Sequence, residues 1–82
     1  MPTVHRAHGL RFVIFTNDHE PAHVHAVGAG GEAKIDFGGT GEPRLDWAVG
    51  LSNADIRRAM AEVARERDRL MEAWMRIHGG ES

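Results

Sequence analysis

Residues 51–78 contain neither glycine nor proline, whereas residues 1–50 carry eight of the ten glycines and all three prolines. Glycine and proline mark turns and break helix interiors, so strands and turns are expected in the first part and helix in the second. The 82 residues leave room for one core. Two equal halves would each fall near the roughly 40 residues below which a chain usually needs a metal, a disulfide or a partner to fold. The expected fold is a single α+β domain over residues 1–82, with a sheet from residues 1–50 and helix from residues 51–78.

Leu10, Phe12, Val13, Ile14 and Phe15 precede Asn17 and Asp18, the pattern of a strand entering a turn. Residues 22–27 and 32–37 flank Gly28, Ala29, Gly30 and Gly31, the composition of a hairpin loop. A short fourth strand over residues 44–49 would complete an antiparallel meander of three to four strands. With the loop at 28–31, Val24 opposes Ile35, Ala26 opposes Ala33 and Ala22 opposes Phe37 on an apolar face. His25 then opposes Lys34 and His23 opposes Asp36 on a polar face. A slip of one residue would carry Ile35 to the histidines, so the hydrophobic pattern favours this register. Extended to the preceding strand, it sets Phe12 beside Ala26 and Ile14 beside Val24, and puts Arg11, Val13 and Phe15 on the histidine face.

Ser52 and Asp55 have the spacing of a capping box, and Ile56, Met60, Val63, Leu70, Trp74 and Ile77 follow at helical spacing, with Arg67 interrupting the stripe. The stripe is expected to cover the apolar face of the sheet. An unbroken helix from Asn53 to His78 would be about 39 Å long, longer than the roughly 30 Å diameter of a compact chain of this size. Either the helix is broken within the charged run around Arg67, or Met71, Trp74 and Met75 project onto a partner. That partner would be a second copy or a small cognate protein.

The net charge of −2 excludes a strongly basic nucleic-acid-coating protein. There is no cysteine, hence no disulfide, thiolate metal site or cysteine nucleophile, and a reducing cytoplasm is the expected compartment. The longest apolar stretch, Phe12 to Phe15, is far short of the roughly 20 residues a bilayer needs, and the opening residues do not read as a signal peptide. No membrane association is expected.

Six histidines are present, and His19, His23 and His25 fall within seven residues. In a strand His23 and His25 project from one face about 7 Å apart, a spacing that suits convergence on one ion or one substrate. Three readings follow. His19, His23 and His25, with Asp18 or Asp36, would ligate a divalent transition metal such as zinc. Alternatively, without any cofactor, His23 and His25 would exchange protons in RNA cleavage, with Asp36 orienting a ring and Lys34 and Arg11 holding the phosphate. In the third, the histidines are ordinary polar residues on a solvated or interface face. The glycine runs lack the strand-to-helix context and the Lys-Ser/Thr ending of a phosphate loop and read as turns.

Residues spread along nearly the whole chain carry a resemblance: the opening Met1 to Val4, Gly9 and Leu10 entering a strand, the run Asn17, Asp18, His19, Pro21, His23, Val24 and His25, then Ala33 to Asp36, and Leu70 with Trp74. In these the sequence resembles the domain-of-unknown-function 4160 family of small bacterial proteins. It departs at Ala22, where that family often has a second proline, and at Val63 and Ala64, where a tryptophan is common. The resemblance implies a toxin-antitoxin-type component masked by a small protein encoded alongside it. A phage or mobile-element inhibitor that blocks a host defence complex without catalysis is the other role for a protein of this size.

Overall fold

The histidine strand lies at the centre of the sheet. In the computed structural model, which describes residues 3–78, five strands follow in chain order: β1 (Thr3–Ala7), β2 (Leu10–Val13), β3 (His23–Val27), β4 (Glu32–Asp36) and β5 (Arg44–Val49). Every neighbouring pair is antiparallel. Two helices complete the α+β fold, α1 (Asn53–Arg65) and α2 (Arg67–His78).

The meander therefore has five strands rather than three or four. The added one, β1, pairs with β2 across a two-residue turn in which His8 and Gly9 both have positive φ, 57° and 76°. Turns of that hand match the twist of the flanking strands, which makes them the usual two-residue hairpin connection. Phe12 opposes Ala26, Val24 opposes Ile35, His25 opposes Lys34 and His23 opposes Asp36, the register expected from the hydrophobic alternation. The strand over residues 44–49 forms, with a bulge where Lys34 and Ile35 meet it. Beyond it Gly50, at φ 77°, packs so close to Gly30 and Gly31 that a Cβ on Gly31 would collide with the backbone of Val49 and Gly50.

Helix α1 starts where the capping residues place it, with Ser52 Oγ accepting from Asp55 N at 3.0 Å. The long helix is broken, at Glu66. The backbone bonds continue across the break, Glu66 N to Glu62 O and Leu70 N to Glu66 O at 2.9 Å each. Arg67 holds the gap in the apolar stripe, and its guanidinium donates instead to the carbonyls of Gly39 and Gly41 in the loop before β5.

Folded back in this way, α2 covers the sheet together with α1. Phe12, Ile14, Val24, Ile35 and Phe37 join Val63, Leu70 and Trp74 in one cluster, with Met60, Met71 and Ile77 packed at its edge. Phe12 is wholly buried at its centre. Truncating it to alanine is worth about 3–5 kcal/mol, a large part of the roughly 5–15 kcal/mol that holds a domain folded. Both helices cover the same face; on the histidine face, free of the helices for most of its area, Val13 and His23 are nonetheless buried and Trp47 is exposed.

Candidate functional site

Three short elements position the site. The chain leaving β2 turns at Asp18, whose Oδ2 accepts from Phe15 N at 3.1 Å while its own N–H returns a bond to Phe15 O at 3.1 Å. It then passes through a cis Glu20–Pro21 bond into β3. His23, which is buried, and the half-buried His25 project from the same face of β3 with ring centroids 5.3 Å apart.

Each histidine is held by its Nδ1. His23 Nδ1 lies 2.9 Å from Pro21 O, and His25 Nδ1 lies 2.9 Å from Glu32 Oε2. A carbonyl or a carboxylate accepts, so in both rings Nδ1 carries the proton and a neutral ring presents its Nε2 lone pair. Both Nε2 atoms turn to one oxygen, Asp18 Oδ2, at 3.3 Å from His23 and 3.8 Å from His25. The ligating atoms of Asp18, His23 and His25 all lie within 4.8 Å of one another. Two lone pairs directed at a carboxylate oxygen repel unless positive charge sits among them, either a metal ion or a second proton on a ring.

The site opens into a depression of about 400 Å³ lined by these three residues and by His19, Lys34 and Trp47, among others. Lys34 Nζ lies 3.0 Å from Asp46 Oδ2, and this hydrogen bond holds the ammonium above its ordinary pKa, so Lys34 is a fixed positive charge at the rim. Phe15 packs edge-on to His25 with centroids 4.9 Å apart, and Trp47 approaches the same ring at 6.1 Å. Behind the site, Trp74 lies 5.3 Å from the ring of His23, and its Nε1–H donates to Glu20 Oε2 at 3.2 Å. His78, in the last turn of α2, sets Nε2 3.1 Å from Phe15 O and Nδ1 3.1 Å from Trp74 O, two carbonyls that can only accept.

Of the residues singled out from the sequence, Asp18, His19, His23, His25 and Lys34 line this one depression. Asp36 keeps its register opposite His23, but its Oδ2 is 3.7 Å from Arg44, and its buried Oδ1 has no hydrogen-bond partner among the described residues. Asp18, not Asp36, is the carboxylate beside His23. Arg11 sits at the other end of the face, opposite Val27 and Arg6. The expected partner-binding set lies wholly on α2, beyond the break, and is divided by burial. Trp74 is buried in the core and Met71 packs against it, while Met75 stays exposed. Glu32 and Trp47 were not anticipated, although the register places both on the histidine face.

A second histidine and carboxylate cluster joins β1 to α1. His5 Nε2 donates to the buried Glu62 Oε2 at 2.5 Å, and Arg65 Nη2 donates to the same oxygen at 2.6 Å. The hydrogen bond from Arg65, helped by that from His5, holds the Glu62 carboxyl below its usual range against the opposing effect of burial.

The fold and this face define a small α+β domain in which a single covered sheet presents histidines and carboxylates on its open side. The chain belongs to the DUF4160 family: the model of that family, Domain of unknown function (DUF4160), matches residues 9–75. No curated protein and no solved structure gives a significant match. Among the described residues, no helix is long and apolar enough to cross a membrane.

Proposed function

We propose that this domain binds a divalent transition-metal ion through Asp18, His23 and His25. The observation that carries the reading is the orientation of the two rings: each Nδ1–H is engaged by an oxygen, and both Nε2 atoms meet at Asp18 Oδ2. Metal-ligating histidines are commonly oriented in this way, by a carbonyl or carboxylate on the other nitrogen. Ligands at about 2.0–2.1 Å from a tetrahedral ion stand about 3.3 Å apart, close to the 3.3 and 3.8 Å found here. Three protein ligands leave a position for water or substrate, the arrangement of catalytic rather than structural zinc sites. His19, exposed on the same rim, is within the loop that would supply a further ligand.

The test is zinc titration, followed by calorimetry, of tag-free protein stripped with chelator. One ion per chain is expected, His25→Ala should abolish uptake, and Glu32→Gln should weaken it by about 10–100-fold. Uptake of no divalent first-row ion, or uptake undiminished in His25→Ala, ends this reading.

A second reading, metal-free RNA cleavage by His23 and His25 within a toxin-antitoxin-type pair, is supported by the position of Lys34 and Trp47 in the same depression. Growth arrest and RNA loss on inducing the protein alone, both abolished by His25→Ala, are expected from it. Cleavage that persists in EDTA would favour this reading over the metal-dependent one.

A further inference from the structure

Arg6 and Arg11 oppose each other directly on β1 and β2. Like charges in that position repel, and neither has a carboxylate within salt-bridge distance among the described residues. The acids that share the face are already engaged. Asp46 holds Lys34, Asp36 lies against Arg44, and Asp18 and Glu32 hold the histidines. An anion from outside is the partner that this pair lacks, and two adjacent guanidinium groups offer phosphate a set of fixed, forked donors.

Across the sheet from the arginines lies a band of rings. Phe15, His25 and Trp47 follow one another over the open face, with centroids 4.9 and 6.1 Å apart. Trp47, on the edge strand β5, is 40% exposed. Aromatic rings and basic side chains spaced across one face of a sheet are the combination that stacks unpaired bases while the backbone phosphates are neutralised. A duplex would hide the faces of its bases from such a band. An acidic peptide would satisfy Arg6 and Arg11 but has no use for the rings.

We propose that the open face of the sheet binds single-stranded nucleic acid, with phosphate on Arg6 and Arg11 and a base on Trp47. The strand then runs over His25 and the proposed ion site, which makes a phosphodiester the group presented there. The binding itself requires no metal.

Fluorescence anisotropy with labelled single-stranded RNA and DNA of about 12 nucleotides, a length within the site sizes of such surfaces, tests the proposal. Measured in EDTA, it stands or falls apart from the metal reading. Binding should weaken as salt rises from about 50 to 200 mM. The double variant Arg6→Gln/Arg11→Gln should bind at least about tenfold more weakly, with the slope of log K against log salt reduced by about 1.4. Its melting temperature should equal or exceed that of the wild type, because the variant removes a repulsion. Trp47→Ala should weaken binding about tenfold and Trp47→Phe should largely restore it. Equal affinity for RNA and DNA supports a site that ignores the 2′-hydroxyl, and preference for RNA supports one that reads it. The proposal is overturned if the wild type binds neither strand, if the double variant and Trp47→Ala bind like the wild type, or if duplex DNA or a polyglutamate peptide binds as well as the single strands.

Discussion

Two clusters in this small domain are built from histidine and carboxylate, and they do different work. At the β1 edge, His5 and Glu62 close around a guanidinium, and Arg65 supplies the positive charge that the buried carboxylate needs. A neighbouring cavity of about 200 Å³ has a charge-balanced polar lining, with Glu66 and Glu72 beside Arg69 and Arg76. On the other face, Asp18 gathers two imidazole nitrogens, and among the described residues no arginine or lysine is within salt-bridge distance of it, Lys34 acting on it only from the rim. Residue types are shared; the difference is whether the fold supplies the cation. Where it does, the cluster is an internal cross-link between strand and helix. Where no such cation is in direct contact, the cluster is the one proposed above to take its charge from an ion.

Exchanging the probes between the clusters gives the largest expected effect. His23→Ala or His25→Ala should lower zinc affinity by more than about 100-fold, since each removes a ligand rather than an orienting partner. His5→Ala should leave it unchanged in the same calorimetric titration. Loss of zinc binding in His5→Ala would mean that the clusters have been assigned the wrong way round.

Stability should show the opposite ranking. Glu62→Gln removes charge-assisted hydrogen bonds and should cost about 1–3 kcal/mol, a fall in melting temperature of about 4–8 °C per kcal/mol in a domain of this size. Because the Glu62 carboxyl is held below its unfolded value, its contribution is present above that value, near pH 4.5. It is lost as the pH falls through the lower folded value. Wild-type melting curves should therefore drop steeply on acidification below about pH 4.5, and Glu62→Gln should flatten that drop. An acid limb unchanged in the variant would remove Glu62 from the account.

The smallest effect is expected at Asp18. Asp18→Asn keeps an oxygen to accept from Phe15 N while removing the charge, so the melting temperature of the metal-free protein should move by only a few degrees, equivalent to less than about 1 kcal/mol. A fall as large as that of Glu62→Gln would show that Asp18 is a structural ion-pair partner and that the two clusters are alike.

The sheet register was readable because the alternation of Val24, Ala26, Ala33 and Ile35 tolerates no slip. It also carried the position of Glu32, which lies diagonally across from His25 on the same face. Strand β1 was hidden for local reasons. His8 and Gly9 lack the familiar Asn-Gly or Asp-Gly turn signature, and a register shift between Thr3 and His5 spoils the two-residue period. The convergence at Asp18 depends on how the segment from Phe15 to Pro21 turns, which no spacing rule fixes. Trp74 shows the limit of a helical period. Its spacing marks an apolar stripe, but whether the stripe meets the chain's own sheet or another molecule depends on Arg67, whose bonds to Gly39 and Gly41 hold the loop against the break.

The peptide groups at Phe15 connect the last helix to the ligating loop. Its carbonyl receives His78 from the end of α2, and its N–H holds the oxygen of Asp18 on which both imidazoles converge. Two hydrogen bonds thus separate the final helical turn from the proposed ligand set. A fusion or clamp that pulls on that turn would act as a remote handle on ion affinity without touching any ligand.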